Sequence, residues 1–454
     1  MKRRNCIKLS LAVGSAILLP DFTYAATLDV SKINFSENDN NAQTIIIFMY
    51  GGASQLAGNI TNLEEIDKKS QSSYSNYFRG ITPTKSVCWQ EAGGTAMESL
   101  LESGDMTLFR CCYSDIREED NNKAHGECTT QNQKGSFDED SAGILANLAQ
   151  ILESNKVINE NTLMPFVTME GESTFYLEGN KALPGYLKPV GINENFENPY
   201  KRRVREWYYY TDEEHDRLPD RYWDDKTPGT FDPAITTKMD KLAQANNPSG
   251  KIKDAFSKRG KLSTFIDSIK DSVTPDLGEN AYPDNDFSEK IEAAIKLLVK
   301  NPDTKVITIG TGGLGGWDDH NEARDYVTRM ERLFGSLKSA IAHLKAEEKV
   351  NQINIMVFGE FGRNVNLNSA NGWDHGNLQN LYVLGGKGYF NHKGTVGETI
   401  VEDTGSINRL YLKPKSGTYW FEPLSIASTL YKIYGIENPE ELTGGYKEID
   451  HLFS

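Results

Sequence analysis

Basic side chains are in short supply in this chain of 454 residues, which has 49 Lys and Arg against 64 Asp and Glu and a formal net charge of −15 at pH 7. Nucleic-acid binding needs clustered Lys and Arg to contact phosphates, so this charge argues against a nucleic-acid partner. Internal repeats of supersecondary length and low-complexity tracts are absent as well. Together these absences favour an ordinary folded protein.

Long apolar runs are also lacking, and no run after residue 25 predicts a transmembrane helix. The short run LSLAVGSAILLP follows a basic start and precedes the small residues of DFTYAA, which predicts an export signal cleaved near Ala25. Arg3 and Arg4 resemble a twin-arginine signal, with a general secretory signal as the alternative. Either signal predicts a periplasmic or secreted mature protein.

Cysteine is rare, and the four that remain after this cleavage include no CxxC pair, which argues against a cysteine metal site. In an oxidising compartment we expect structural disulfides among the four. Cys111 and Cys112 are expected to pair separately with Cys88 and Cys128, because a vicinal bridge strains the peptide.

Five apolar runs, each ending at glycine or polar residues, predict buried strands. These runs are 44–52, 106–113, 305–313, 353–362 and 380–386. Apolar residues at three- and four-residue spacing predict a long helix over about 321–348, and shorter helices are expected over 140–155, 286–300 and 422–435. The order of elements predicts a doubly wound, mostly parallel α/β sheet flanked by helices, with ligands bound beyond the carboxyl ends of the strands.

A stretch rich in aromatic and charged residues, 190–285, interrupts this pattern. It predicts an insertion that packs on the main domain, or a cap over the site with Trp207, Tyr208 and Tyr222 as a recognition surface. The predicted organisation is an export signal (1–25), the N-terminal part of the α/β domain (26–189), the insertion or cap (190–285) and the C-terminal part of the domain (286–454).

Two motifs place a tryptophan between glycine and an Asp/His cluster: GGWDDH at 315–320 and GWDHG at 372–376. Both adjoin predicted strands, so both can reach the same edge of the sheet. Carboxylate oxygens and neutral imidazoles together suit zinc, manganese or iron. The motifs therefore predict a metal cluster, with polar loop caps as the alternative. The predicted ligands are Asp318, His320, Asp374 and His375.

A third motif, GEFGRN, follows the strand between these two. Arg363 in this motif is suited to hold a phosphate or sulfate, and Glu360 is suited to orient a metal-bound histidine or a water. A salt bridge that closes the loop is the alternative for both residues.

These motifs, in this order, resemble those of an uncharacterised bacterial family, domain of unknown function 1501, in the alkaline-phosphatase and sulfatase-like superfamily. The resemblance covers about 44–150 and 285–450. The matching segments are FMYGGASQLAGN, GGWDDH, VFGEFGRN, GWDHGN, LYVLGG, the GxxGE at 394–398 and EPLSIASTLYKIYGIENPEEL.

The resemblance implies an alkaline-phosphatase-like fold in which divalent ions sit at strand ends and a Ser or Thr attacks phosphate or sulfate. It implies zinc, with manganese, iron or calcium as alternatives. The residues it assigns are Asp318 and His320 for one metal, Asp374 and His375 for the other, Arg363 as an anion contact, and Glu360 and His125 in catalytic places.

The sequence departs from the family pattern at functional positions. Ser54 stands where the superfamily has a metal-binding Asp, and Ala124 stands where the family often has Ser. Ser54, Thr129 and Thr130 offer hydroxyls in place of the missing one, and His392 offers a substitute for a missing histidine. Without the acidic ligand, a second ion would lose charge neutralisation, so one ion or none is expected.

Two functions remain open from the sequence, and the enzyme class is uncertain. One is an exported metal-dependent hydrolase of phosphate or sulfate esters, acting on a small anionic ester or an envelope glycan. The alternative is a non-catalytic envelope binding or assembly protein that retains the fold and binds an envelope protein.

Overall fold

The computed structural model describes residues 28–36, 41–70, 73–78, 80–171, 173–179, 182–196, 241, 251–403 and 409–453. The predicted export signal lies outside these residues, and so do Trp207, Tyr208 and Tyr222 of the predicted insertion. No helix among the described residues is long and apolar enough to cross a membrane.

An eight-stranded sheet forms the centre of the molecule. The strands of the described chain are β1 (Gln43–Met49), β2 (Met106–Cys112), β3 (Phe166–Thr168), β4 (Val190–Gly191), β5 (Val306–Gly310), β6 (Ile353–Gly359), β7 (Gln379–Gly385), β8 (Gly394–Val396), β9 (Thr399–Asp403) and β10 (Leu410–Pro414). The order in the sheet is β4-β3-β5-β1-β6-β7-β2-β8, and β9 pairs with β10 separately. Neighbouring strands are parallel except at β7, which is antiparallel to both β6 and β2. The five predicted strands and the mostly parallel sheet are confirmed.

Helices cover the sheet. They are α1 (Leu63–Lys69), α2 (Tyr74–Tyr77), α3 (Thr95–Glu102), α4 (Asp115–Glu119), α5 (His125–Lys134), α6 (Ile144–Ser154), α7 (Lys251–Lys270), α8 (Asp286–Lys300), α9 (Asp325–Ala346) and α10 (Ser425–Ile433). The long helix predicted between the third and fourth strands is α9, and the three shorter predicted helices are α6, α8 and α10.

Both faces of the sheet are buried. Along β1, Ile45 and Ile47 belong to one apolar core, whereas Ile46 and Phe48 belong to the other, because successive side chains of a strand point to opposite faces. All seven residues of β1 are buried, which explains its continuous apolar sequence. This double coverage confirms the doubly wound architecture.

The four cysteines of the described chain are buried free thiols, so the predicted disulfides are wrong. Cys111 and Cys112 are neighbours on β2, and they therefore point to opposite faces of the sheet and join different cores. The Sγ atoms of Cys88 and Cys128 lie near backbone carbonyls instead, 3.7 Å from the oxygens of Gly58 and Asn122 respectively. Cys111 and Cys112 thus point apart, as expected, but neither forms a disulfide with Cys88 or Cys128.

Candidate functional site

The two tryptophan motifs meet at the carboxyl edge of the central parallel strands. The backbone N–H of Trp317 donates to the Tyr50 carbonyl at 3.0 Å, which joins GGWDDH to the end of β1. The backbone N–H of Trp373 donates to the Asp319 carbonyl at 2.7 Å, which joins GWDHG to GGWDDH. Both indole side chains are fully buried, so each tryptophan anchors its loop to the core.

Three imidazoles and one carboxylate converge beyond these strand ends. His125, Asp318, His320 and His375 each place one ligand atom within 4.8 Å of the others. The Nε2 atoms of His320 and His375 are 3.0 Å apart. Asp318 Oδ1 lies 3.2 Å from His320 Nε2 and 3.4 Å from His125 Nε2. We refer to these four residues as the His/Asp cluster.

Three of the separations within this cluster are those expected around a single metal ion. A tetrahedral ion with bonds of about 2.0–2.1 Å places its ligand atoms about 3.3 Å from one another. The measured distances of 3.0, 3.2 and 3.4 Å lie around that value. Imidazole nitrogen with carboxylate oxygen is also a donor set that suits zinc, manganese or iron. The residues therefore fit a divalent ion in both geometry and chemistry.

Each imidazole of the cluster has an oxygen acceptor beside its Nδ1. The pairs are His125 with Glu360 Oε1 at 2.6 Å, His320 with Asp374 Oδ1 at 3.3 Å, and His375 with the Lys123 carbonyl at 2.6 Å. A neutral imidazole that donates from Nδ1 carries its lone pair on Nε2, the atom that faces the cluster. Burial, with a smaller contribution from the charge of Arg363, lowers the pKa of His375 to about 4. His375 is therefore neutral at pH 7, as a metal ligand must be.

Glu360 joins β6 to helix α5. Its side chain is buried and accepts hydrogen bonds from the Gly51 N–H at 2.8 Å, from His125 Nδ1 and from the Thr129 hydroxyl. Its backbone carbonyl accepts from Asn132 Nδ2 at 3.0 Å. On α5 the three contacts fall at positions i, i+4 and i+7, which form one stripe along a helix. The sequence-predicted role of Glu360, orienting a histidine, agrees with this geometry.

A buried arginine reinforces this junction. Arg117 on α4 donates from Nη1 to the Glu360 carbonyl at 2.9 Å and from Nη2 to Asn132 Oδ1 at 2.7 Å. It also donates from Nε to Gln131 Oε1 at 3.0 Å. The guanidinium thus holds α5 against the end of β6, and with it the helix that carries His125.

Arg363 lies beneath the cluster, fully buried, and its donors are directed at protein atoms. Nε donates to the Gly52 carbonyl at 2.7 Å, and Nη1 donates to the Trp373 carbonyl at 3.0 Å. Nη2 contacts the Gly51 carbonyl and forms a 2.6 Å ion pair with Asp318 Oδ1. This geometry favours the loop-closing interpretation of Arg363 over the anion contact.

The ion pair with Arg363 also sets the charge of Asp318. Burial raises the pKa of Asp318, but the hydrogen bond and positive charge of Arg363 outweigh it, so the net pKa lies below the ordinary 3.8. The Asp318 side chain is 52% exposed, so this carboxylate is ionised and faces solvent. The cluster is therefore accessible to solvent from the Asp318 side.

Asp374 takes a different place from the one predicted. Its carboxylate stands behind His320, at the Nδ1 atom, and is not a member of the His/Asp cluster. Its N–H donates to Asn364 Oδ1 at 2.8 Å, and Asn368 Nδ2 lies 3.5 Å from its Oδ1. His125, for which the sequence predicted a catalytic place, is the fourth member instead.

Other candidates from the sequence have structural contacts. His392 lies near the opposite edge, with Nε2 2.7 Å from the Gly385 carbonyl. Ser54 is buried, and its Oγ accepts from the Leu56 N–H at 3.4 Å. Ala124 is the N-cap of α5 and supplies no hydroxyl there.

Sequence reasoning missed the supports of the cluster. Thr129 had been considered only as a hydroxyl, and Arg117 and Asn132 had not been considered. One signal was available: His125, Thr129 and Asn132 have the spacing of a polar stripe on a helix. The partner of that stripe, Glu360, is more than 220 residues away in the chain, and no local pattern connects the two.

The fold and the site together define a class: a doubly wound α/β protein with a metal-type His/Asp cluster at the carboxyl edge of its sheet. The family described as protein of unknown function (DUF1501) matches residues 41–399. The chain belongs to this family, in agreement with the resemblance found in the motifs. No curated protein matches the sequence significantly.

Several solved structures are similar at low sequence identity. A structure of Ps i-CgsB in complex with k-i-k-neocarrahexaose has a TM-score of 0.39 and 9% identity, covering 90% of this chain and 75% of that one. A mutant TAB5 alkaline phosphatase with bound magnesium has a TM-score of 0.33 and 11% identity, covering 89% and 99%. The phosphonate monoester hydrolase of Silicibacter pomeroyi has a TM-score of 0.32 and 12% identity, covering 91% and 76%. These scores mark a distant likeness.

Proposed function

We propose that this protein is an exported metal-dependent hydrolase of phosphate or sulfate esters. One observation carries the proposal: three imidazoles and one carboxylate bring their ligand atoms within 4.8 Å of one another, at a place where Asp318 is exposed to solvent. Three imidazole nitrogens and a carboxylate oxygen brought this close together form a set of electron-pair donors of the kind that binds divalent ions. A divalent ion would be held by all four residues together.

The proposed ligands are Asp318, His125, His320 and His375. Zinc is the metal proposed, with manganese, iron or calcium as alternatives, and one ion satisfies the four ligand atoms. When bound, the ion would act as a Lewis acid that polarises a phosphoryl or sulfuryl oxygen.

The protein's own groups prepare this site before a substrate arrives. Glu360 and Asp374 hold the rings of His125 and His320 with Nε2 toward the cluster, which fixes the direction of these two nitrogens. Arg363 keeps Asp318 ionised. The pre-set geometry lowers the reorganisation needed when an anionic ester binds.

Metal analysis combined with turnover tests this function. Purified wild-type protein is expected to contain about one equivalent of divalent metal after loading, and to hydrolyse an aryl phosphate or an aryl sulfate. His320→Ala is expected to lose the metal and at least about 99% of the turnover, because one Nε2 ligand is removed.

His451→Ala is the matched control, because its ring stacks on Tyr419 in the C-terminal segment and takes no part in the cluster. It should keep wild-type metal content and turnover. Wild-type protein with neither metal nor turnover would contradict the proposal and favour the non-catalytic envelope protein instead.

A further inference from the structure

The side chain of Thr129 is joined to the cluster through two hydrogen bonds. The Thr129 hydroxyl donates to Glu360 Oε2, and the other carboxylate oxygen, Oε1, accepts from His125 Nδ1 at 2.6 Å. His125 Nε2 then lies 3.4 Å from Asp318 Oδ1, within the cluster. Thr129, Glu360 and His125 thus form a continuous chain that ends at a proposed metal ligand.

The orientation of the Glu360 carboxylate is fixed by donors on both of its oxygens. On Oε1, the Gly51 N–H at 2.8 Å shares the acceptor with His125. On Oε2, the hydrogen bond recorded is the one from Thr129. If the Thr129 hydroxyl is removed, Oε2 of this buried carboxylate loses a donor, and the carboxylate gains freedom to rotate away from His125.

Helix α5 makes the arrangement a rigid one. His125 and Thr129 are one turn apart on α5, so both meet the same carboxylate from one side. The helix itself is fixed to the end of β6, because Asn132 donates to the Gly359 carbonyl at 2.7 Å and Arg117 donates to the Glu360 carbonyl. The hydroxyl therefore acts on the carboxylate from a fixed position.

We propose that Thr129 is a positioning residue, which holds Glu360 and through it sets the direction of His125 Nε2 toward the metal. This inference rests on the metal centre of the proposed function, but it does not depend on which ester is hydrolysed. Thr129 itself takes no part in the reaction and touches no substrate.

Thr129→Val tests this role, because valine keeps the branched shape and removes the hydroxyl. Loss of an oriented partner behind a ligand typically weakens metal binding by about 10- to 100-fold, and we expect about 10-fold here because one histidine of three is affected. Zinc affinity would be measured by competition with a chromogenic chelator. Thr129→Ser keeps a hydroxyl and should restore affinity to within about twofold of wild type. Thr130→Val, at the neighbouring position of α5, is the control and should match wild type.

A second measurement uses metal-free protein. In 15N-histidine-labelled wild type, the Nδ1–H of His125 should give a slowly exchanging signal, because it donates to a buried carboxylate. The signal should persist in Thr129→Ser and disappear in Thr129→Val. This readout stands even if the wild type hydrolyses no ester.

Two outcomes would overturn the proposal. Unchanged zinc affinity together with an unchanged His125 signal in Thr129→Val would show that the hydroxyl positions nothing. Unchanged affinity with turnover abolished would show that Thr129 acts on the substrate directly, as a nucleophile would.

Discussion

Histidine has different roles at the two ends of the central parallel strands, the carboxyl edge that carries the His/Asp cluster and the amino edge, here called the opposite edge. At the opposite edge, His392 has Nδ1 3.1 Å from Thr107 Oγ1 and Nε2 2.7 Å from the Gly385 carbonyl, so each ring nitrogen meets a protein oxygen. At the carboxyl edge, His375 has Nδ1 2.6 Å from the Lys123 carbonyl, but its Nε2 lies 3.0 Å from another imidazole nitrogen. The first ring links parts of the fold, and the second presents a lone pair.

The aspartates at the two edges also differ, in their exposure and in the charged groups beside them. Asp105, before β2, is 1% exposed and lies between Lys345 and Lys387, with Oδ1 2.7 Å from Lys387 Nζ. Asp318 is half exposed and faces histidines as well as Arg363. A buried acid between two lysines has its charge balanced within the protein. Among the described residues, the permanent cation beside Asp318 is Arg363, and the other close groups are imidazoles.

Removing one histidine at each edge gives the largest expected difference. His375→Ala should weaken zinc affinity by about 100-fold or more and abolish turnover, because structural zinc sites gain about 10–16 kcal/mol from four ligands together. His392→Ala should keep the affinity and lose about 1–3 kcal/mol of unfolding free energy, because the Gly385 carbonyl and Thr107 hydroxyl lose a partner. Chelator competition and urea unfolding measure the two quantities. Equal loss of zinc affinity in both variants would break the comparison.

Arg363→Met measures how much the buried guanidinium at the carboxyl edge contributes to the stability of the fold. The substitution leaves the carbonyls of Gly51, Gly52 and Trp373 without a donor and Asp318 without its ion pair. We expect a loss of about 3–5 kcal/mol in unfolding free energy, because three carbonyls lose a charged donor at about 1–3 kcal/mol each, whereas the pair with the half-exposed Asp318 adds little.

Lys345→Met at the opposite edge is the comparison variant, because Lys345 is 45% exposed and Lys387 still faces Asp105. Its loss should stay near 1 kcal/mol, as is usual for partly exposed pairs. A small effect of Arg363→Met, together with turnover lost at full metal occupancy, would instead support the anion contact first considered for Arg363.

Local patterns in the sequence were sufficient for most of the fold. β1 and β6 are continuous apolar runs because both faces of the sheet are covered, and α9 shows its buried stripe at three- and four-residue spacing. The antiparallel direction of β7 was not predicted, because strand direction depends on the path of the connecting loop. The predicted disulfides were wrong because the spacing of cysteines in a sequence carries no information about the distances between their thiols in the fold.

The site was predicted in outline from two motifs. Asp318, His320 and His375 do come together, because the motifs follow strands that end at one edge. The roles of Asp374 and His125 differ from expectation, because the direction of each side chain depends on contacts between loops distant in sequence. The spacing in GWDHG cannot distinguish an aspartate that faces the cluster from one that faces the back of a histidine.

Acid unfolding offers the smallest and most specific test of the opposite edge. Burial raises the pKa of Asp105, but hydrogen bonds from Lys345, Lys387 and Ser103 outweigh it, so the net pKa lies below the ordinary 3.8. A carboxyl whose pKa is lower in the folded state stabilises the fold above its unfolded pKa and loses that contribution as the pH falls through its folded pKa. Asp105→Asn should therefore be less stable than wild type by about 1–2 kcal/mol at pH 7.

The difference between Asp105→Asn and wild type should be constant from pH 7 to about pH 5 and shrink below about pH 4, where wild-type Asp105 takes up a proton. Urea unfolding at a series of pH values measures it. Glu64→Gln is the control, because its pair with Lys68 is exposed, and it should follow wild type at every pH. A difference that widened on acidification would mean that Asp105 is protonated more readily in the folded state, and the balanced charge assigned to this edge would be wrong.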